Sequence, residues 1–313
     1  MPAGSYPRQS PVVMLGEQAQ GLLKDVFGGR NLLVQAHRIE RRVVCWGDGE
    51  PQAFDHAGLV VAGDALAAAL PWPGLVSSGP VSPELAPRFV LSSTPPRSGR
   101  MRHFGTREAS AAPVELTPAA DRGAALVEAL DQGWLFLIPT GGDAGWLLCV
   151  GTPPDQALRE SRLVGLAVGA VGAIAARFET APRMQEHPAT PDRLLLGQAA
   201  LAFDPICGDG TATAVRCGIL AAAVAAGIVG HDQPGPDCEA LLAHYRAMMI
   251  AAMRRHLTVS WPFYARGGRG PWWDEEAAAL AEGHAWCTRQ LAEAGEARFI
   301  LAGDRLIPRD IAA

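Results

Sequence analysis

The sequence predicts an α/β chain of strong α+β character, with short, largely antiparallel strands and its longest helices in the second half. Three stretches carry that prediction. Residues 133–139 and 146–150 are apolar and aromatic runs either side of Gly141-Gly142-Asp143, which is the pattern of a β-hairpin. Residues 193–196 read as a short strand, and 209–228 as an Ala/Gly-rich helix apolar on nearly every side, hence central. Residues 238–256 and 274–294 read as two further helices. The second opens on Asp274, Glu275 and Glu276, acids that suit the positive end of a helix dipole.

The remaining elements follow in chain order. Residues 16–27 predict a helix stopped by Gly28-Gly29. Residues 32–34 and 42–46 predict two strands, and Asp48-Gly49 a hairpin-type turn. Residues 59–61 read as a buried strand and 64–70 as a short helix. From 71 to 120 the chain is rich in Pro, Ser and Gly, and short strands such as 88–91 are expected between loops. Residues 158–178 read as a helix. A last hairpin is expected from 298–301 and 306–307 around Gly303-Asp304.

With 313 residues, 49 % of them hydrophobic, the chain can bury a large core in one complex domain or two closely packed ones. A net charge of -5 with no clustered basic patch argues against nucleic acid as a partner. The apolar runs 163–176 and 217–230 fall short of the roughly 18–20 residues a membrane span needs, so both read as buried helices, with no membrane partner. The first eleven residues lack the apolar core of a signal peptide. Six cysteines without CxxC spacing suit a reducing cytoplasm.

Several chemistries find no support. The eight histidines show no metal-ligand spacing and no HExxH, and Gly-x-Ser-x-Gly is absent. His256, after Arg254-Arg255, is expected at a helix C-terminal end, where cations suit the dipole. Lys24, the sole lysine, reads as a solvated helix residue. Trp261, Phe263, Tyr264, Trp272 and Trp273 cluster around Arg266-Gly267-Gly268-Arg269 and are expected to pack between the last two helices.

The informative segment runs from Leu194 to Thr213: strand, Gly197-Gln198, then Asp204-Pro205, then Gly208-Asp209-Gly210 at the start of the alanine-rich helix. This order delivers a helix N-terminus, with its unpaired amides, to the end of a strand. Glycines there let a ligand approach the backbone, and Asp204-Pro205 fixes a turn. Such a device suits an anion or a ring carbonyl that gathers negative charge. The dinucleotide fingerprint GxGxxG is not met, because Thr213 stands at the third glycine.

Read whole, the segment resembles the second flavin motif of the aromatic hydroxylase, geranylgeranyl reductase and tryptophan halogenase group. Gly197, Ala199, Ala200, Asp204, Pro205, Gly208 and Gly210 match it position by position. The stretch from Gly133-Trp134 through Phe136 to Pro139 is similar to the Gly-Trp-x-x-x-x-Pro strand of the same families, with Phe136 where halogenases carry a second tryptophan. Weaker likeness lies in Leu15-Gly16-Glu17 and in residues 59–64.

The resemblance implies a p-hydroxybenzoate-hydroxylase-like fold. It pairs an incomplete flavin-binding Rossmann-like domain (1–70 and 180–235) with an antiparallel β-sheet substrate domain (71–179) and a C-terminal helical region (236–313). The family's N-terminal GxGxxG, which cradles the FAD pyrophosphate, has no counterpart before Gly16. The resemblance further implies an FAD-dependent oxidoreductase of monooxygenase type acting on an aromatic or peptide-bound substrate, with a separate chain or reductase as a further partner. Gly197, Gln198, Asp204, Pro205, Gly208, Asp209 and Gly210 would line the cofactor, and Trp134 and Phe136 the substrate pocket. Gln198 stands where the family has an aspartate that holds the ribityl chain. That departure leaves an alternative: a non-catalytic scaffold or accessory relative in which FAD binding is weak or lost.

Overall fold

The computed structural model describes residues 11–28, 33, 36–70, 89–94, 99–229, 236–295, 298–303 and 305–309. Its chain divides into two compact units: residues 1–71, 105–180 and 261–278 form the first, and 72–104, 181–260 and 279–313 the second.

The first unit is built on one large sheet. Strands β1 (Val12–Gly16), β2 (His37–Cys45) and β3 (Gln52–Ala62) accompany helices α1 (Glu17–Val26) and α2 (Gly63–Ala69). The helix expected at 16–27 is α1, capped at Phe27 and followed by Gly28 at φ 71°. β2 and β3 form the expected hairpin, its turn helped by Gly47 at φ 65°. The strand expected at 32–34 lies outside the described residues apart from Leu33.

In the second unit come β4 (Val90–Ser92) and β5 (Met101–His103). The chain then returns to the first unit with β6 (Glu108–Leu116), β7 (Ala124–Ala129), β8 (Trp134–Gly141) and β9 (Ala144–Val150). After these lie α3 (Pro154–Glu160), α4 (Val164–Ala167), β10 (Val168–Val171) and β11 (Ala176–Glu179). The sheet runs β1-β3-β2-β7-β8-β9-β6-β10, with β11 also on β6. The predicted hairpin is β8–β9, with Trp134 opposite Val150.

One face of the sheet buries Leu135, Leu137, Leu147 and Cys149 against Ala157 and Val164 of α3 and α4. Glu128, 1 % exposed, fastens that layer. Its carboxylate accepts the backbone N–H of Arg162 at 2.6 Å and of Val164 at 2.9 Å, and the Ser161 hydroxyl. A buried carboxylate is tolerated because the open amides at the start of α4 supply its partners.

Residues 158–178 depart from the expected helix: they form the end of α3, then α4, β10 and β11. Glycine at 165, 169 and 172 weakens a helix by about 1 kcal/mol each, while the outer edge of β6 offers a hydrogen-bonded ladder that β10 and β11 take up antiparallel. Gly172 must also stay small, since a Cβ there would lie 2.9 Å from the Pro113 ring. Residues 12–62 pair into the sheet through β2 and β7 and so lie in the same unit as 105–180.

The second unit continues with β12 (Arg183–Gln185), β13 (Ala189–Thr190), β14 (Arg193–Leu195) and β15 (Leu201–Ala202). These strands make two small sheets, β15-β12-β5 and β13-β14-β4, the β14–β4 pair being parallel. Helix α5 (Gly210–Val229) follows, then α6 (Pro236–Gly267), α7 (Pro271–Ala294) and the predicted last hairpin, β16 (Phe299–Ala302) with β17 (Arg305–Pro308). α6 belongs to the second unit up to Ser260 and to the first from Trp261; α7 to the first unit up to Ala278.

α5 corrects the reading of its apolar run as too short. At 20 residues it is long and apolar enough to cross a membrane by length and composition, and 39 % of its most apolar window is buried within the protein. Its buried residues include Ala212, Cys217, Leu220, Ala221 and Val224.

Candidate functional site

The segment singled out in the sequence folds as expected in order: strand β14, a 3-10 turn at Gly197–Ala199, strand β15, a second 3-10 turn at Pro205–Cys207, then α5. Gly197 takes φ 50° and Gly208 φ 65°, left-handed values that favour glycine. A Cβ at Gly197 or at Gly210 would meet no heavy atom within 4 Å. Gly208 and Gly210 are both exposed, so α5 begins at an open surface with its first amides accessible.

Asp204 is buried, 1 % exposed, and its carboxylate accepts the Ile206 N–H at 2.9 Å, capping the turn opened by Pro205. Its own N–H donates to Nε2 of His256 at 2.9 Å, and the His256 ring stacks on Phe203 at 4.2 Å with planes 5° apart. Nε2 therefore accepts, which leaves the ring neutral with its proton on Nδ1. His256 is not at a helix end, as the sequence suggested: α6 runs on to Gly267 and places it mid-helix, as a post for the turn before α5. No local signal could have announced a contact between residues 52 apart.

Asp209 closes the first turn of α5. Its carbonyl accepts the Thr213 N–H at 3.0 Å, and its carboxylate lies 3.3 Å from the Thr213 hydroxyl and 3.4 Å from an Arg216 guanidinium nitrogen. Gln198 is exposed. Asp204 and Pro205 thus build the turn, while Gly197, Gln198, Gly208, Asp209 and Gly210 lie at the surface or partly so.

The aromatic candidates of the first unit are differently placed. Trp134 is fully buried; its Nε1 donates to the Tyr264 hydroxyl at 3.1 Å. Phe136 is also buried, under the Arg42 guanidinium at 5.4 Å. Trp46 joins Trp134, Phe263 and Trp273 with ring centroids 5.8–6.4 Å apart. Gly267 and Gly268 give the Trp273 ring its room, since a Cβ on either would stand 2.2 Å from it. The aromatic cluster is therefore more than packing between α6 and α7: it anchors the helix junction to the sheet. Lys24 lies on the exposed side of α1, as read.

Sequence reasoning missed a cleft of about 310 Å³ at the end of this sheet, lined by Arg107, Ser110, Cys149, Thr152, Arg177 and Trp272 among others. Arg107 is buried, ion-paired with Glu276 and stacked 4.1 Å over the Tyr264 ring. Glu276 also accepts from the Thr106 N–H at 3.0 Å. Burial pushes the Cys149 thiol up to about 12, so it stays protonated and is no nucleophile. Among the described residues no group of three or more His, Cys, Asp or Glu could hold a metal ion.

No family model matches the chain, and no curated protein matches its sequence. Solved structures do. A peptidyl tryptophan dihydroxylase essential for tryptophylquinone cofactor biogenesis, QhpG, is 16 % identical, with 97 % of this chain and 79 % of that one covered and a TM-score of 0.62. The flavin-dependent halogenase CmlS is 16 % identical, with 93 % and 66 % covered and a TM-score of 0.68. The myxobacterial chondrochloren halogenase CndH, described as a variant of FAD-dependent halogenases, is 15 % identical, with 92 % and 83 % covered and a TM-score of 0.60. The fold is that of these flavin enzymes, and the predicted mixed α/β architecture stands.

Proposed function

From the fold shared with flavin-dependent halogenases and a tryptophan dihydroxylase, we propose that this chain belongs to an FAD-dependent oxidoreductase of monooxygenase type, acting on an aromatic or peptide-bound substrate. The observation that carries the proposal is the open N-terminus of α5, framed by glycines that leave its amides accessible and by an Asp204 turn that His256 holds in place.

These residues fit a flavin edge. Gly197 and Gly210 leave space where side chains would intrude, and amides at a helix start favour a group that gains negative charge on reduction. When bound, FAD would supply the electron transfer and oxygen activation. The amides of Asp209 and Gly210 would steady charge on the ring's pyrimidine side. Arg216, held near Asp209, offsets the carboxylate that would otherwise repel it. Gln198, exposed at the strand end, would hydrogen-bond a hydroxyl of the cofactor chain. Trp134 and Phe136 are buried and shape the sheet from within. Reducing equivalents would come from a separate reductase.

One observation favours the alternative of a non-catalytic relative: the Asp209 carboxylate already serves the α5 terminus, bonding Thr213 and Arg216. Titrating the purified protein with FAD separates the two. Saturable uptake with a shifted visible spectrum supports the enzyme. A protein that takes up no added FAD removes it and leaves the scaffold reading.

A further inference from the structure

The cleft at the end of the large sheet presents polar side chains that the fold leaves unpaired. Its floor is a row across three strands: Arg177 of β11 stands opposite Ser110 of β6, and Ser110 opposite Cys149 of β9. Paired residues send their side chains to one face, so these three lie side by side. Glu108, two residues before Ser110, reaches the same face and also lines the cleft. Trp272 closes one side. It is seated on the backbone of Gly151, where a Cβ would come within 2.7 Å of the ring.

Among the described residues three of these side chains have no partner. Ser110 is 4 % exposed, yet its hydroxyl makes no hydrogen bond; a buried hydroxyl is normally matched. The Arg177 guanidinium and the Glu108 carboxylate are exposed and form no ion pair with each other or with a neighbour. As diagonal neighbours across an antiparallel pair, they are held about 7 Å apart between their backbones. Glu179, opposite Glu108, already has a partner. Arg107 is neutralised by Glu276, and the Cys149 thiol stays protonated. The free charges of the cleft are therefore one cation and one anion.

We propose that the cleft binds a neutral, hydroxyl-rich ring of monosaccharide size. A hydroxyl both donates and accepts, so adjacent hydroxyls satisfy the Glu108 carboxylate, the Arg177 guanidinium and the Ser110 hydroxyl together. The apolar C–H face of the ring lies against the Trp272 indole by dispersion. A volume of about 310 Å³ is at the small end of ligand cavities and takes one substituted ring. The balance of charge selects a neutral ligand, because a lone anion or cation is repelled by Glu108 or by Arg177. A zwitterion matches both, but it must shed water from two full charges to reach the buried Ser110 hydroxyl, a cost a neutral ligand escapes. None of these residues belongs to the turn before α5, so this binding is separable from that of FAD.

Saturation-transfer NMR on the full chain, with the methyl pyranosides of glucose, galactose and mannose as probes, tests the proposal. At least one is expected to bind saturably. Glu108→Gln and Arg177→Gln, at exposed positions and with folding checked by circular dichroism, are each expected to weaken that binding about tenfold. Benzoate, a lone anion, and glycine, a zwitterion, are expected to displace it only at higher concentration than the sugar itself. Failure of all three pyranosides to bind, binding indifferent to either variant, or displacement by benzoate or glycine at the sugar's own concentration would each overturn the proposal.

Discussion

At the sheet end of the first unit, Trp46, Trp134, Tyr264 and Trp273 pack ring against ring beside a buried Arg107–Glu276 pair, and the indole N–H groups of Trp134 and Trp273 both donate hydrogen bonds. In the second unit the turn before α5 is equally well held from behind, by Asp204 and His256, but its front is glycine and exposed backbone. In the sequence, Tyr264 and Trp273 read as packing and Trp134 takes a substrate role only by resemblance, while residues 197–210 read as a ligand-facing turn. The difference teaches that aromatic richness here marks rigidity, while the omission of side chains marks access. Substitutions at the sheet end should register in stability, and substitutions at the glycine turn in ligand uptake.

The largest effect is expected from Glu276→Gln. It keeps the side-chain volume but leaves a buried guanidinium without its counter-charge, a loss of about 3–5 kcal/mol, read as a lower urea midpoint. If the midpoint barely moves, the sheet end is not the rigid anchor described. Trp134→Phe removes the hydrogen bond to Tyr264 and part of a buried ring, expected to cost about 1–3 kcal/mol. Flavin uptake should be unaffected; a selective loss of uptake without destabilisation would move Trp134 into the binding site.

Gly208→Ala forces a Cβ into left-handed backbone, at about 1–2 kcal/mol. Gly210→Val at the open start of α5 should change thermal stability little, by about 0.5 kcal/mol or less, yet weaken FAD binding by roughly tenfold, because the side chain fills the approach. Equal binding by both proteins would erase the contrast between the regions.

The smallest effect concerns acid. Burial lowers the pKa of His244 and of His56 below the ordinary histidine value. The unfolded chain then binds more protons than the folded one as pH falls from about 6.5 toward the lowered values, so stability should decline across that window and be fully present above it. Denaturant unfolding at stepped pH reads this, and His244→Gln should flatten part of the slope.

Much of this was legible in the sequence where signals were local. The β8–β9 hairpin has apolar strands on both sides of a Gly-Gly-Asp turn, and the order from β14 to α5 is written in Gly197, Asp204-Pro205 and Gly208. Other parts were hidden because their causes lie far along the chain. Residues 158–178 carry helical spacing of small residues; 158–160 and 164–167 stay helical, and the open edge of β6 draws 168–171 and 176–178 into strands. β7, the run Ala-Ala-Leu-Val-Glu-Ala, has helix-forming residues and becomes a strand between two others. Glu276 and Arg107 are 169 residues apart, and nothing near either announces the pair.

The central claim is that the amides opening α5 receive a flavin. Hydrogen–deuterium exchange of the protein with and without saturating FAD measures those amides directly. Slowed exchange concentrated in residues 197–213 is the expected result. Exchange unchanged in that segment, or protection confined to the cleft beside Trp272, would contradict it.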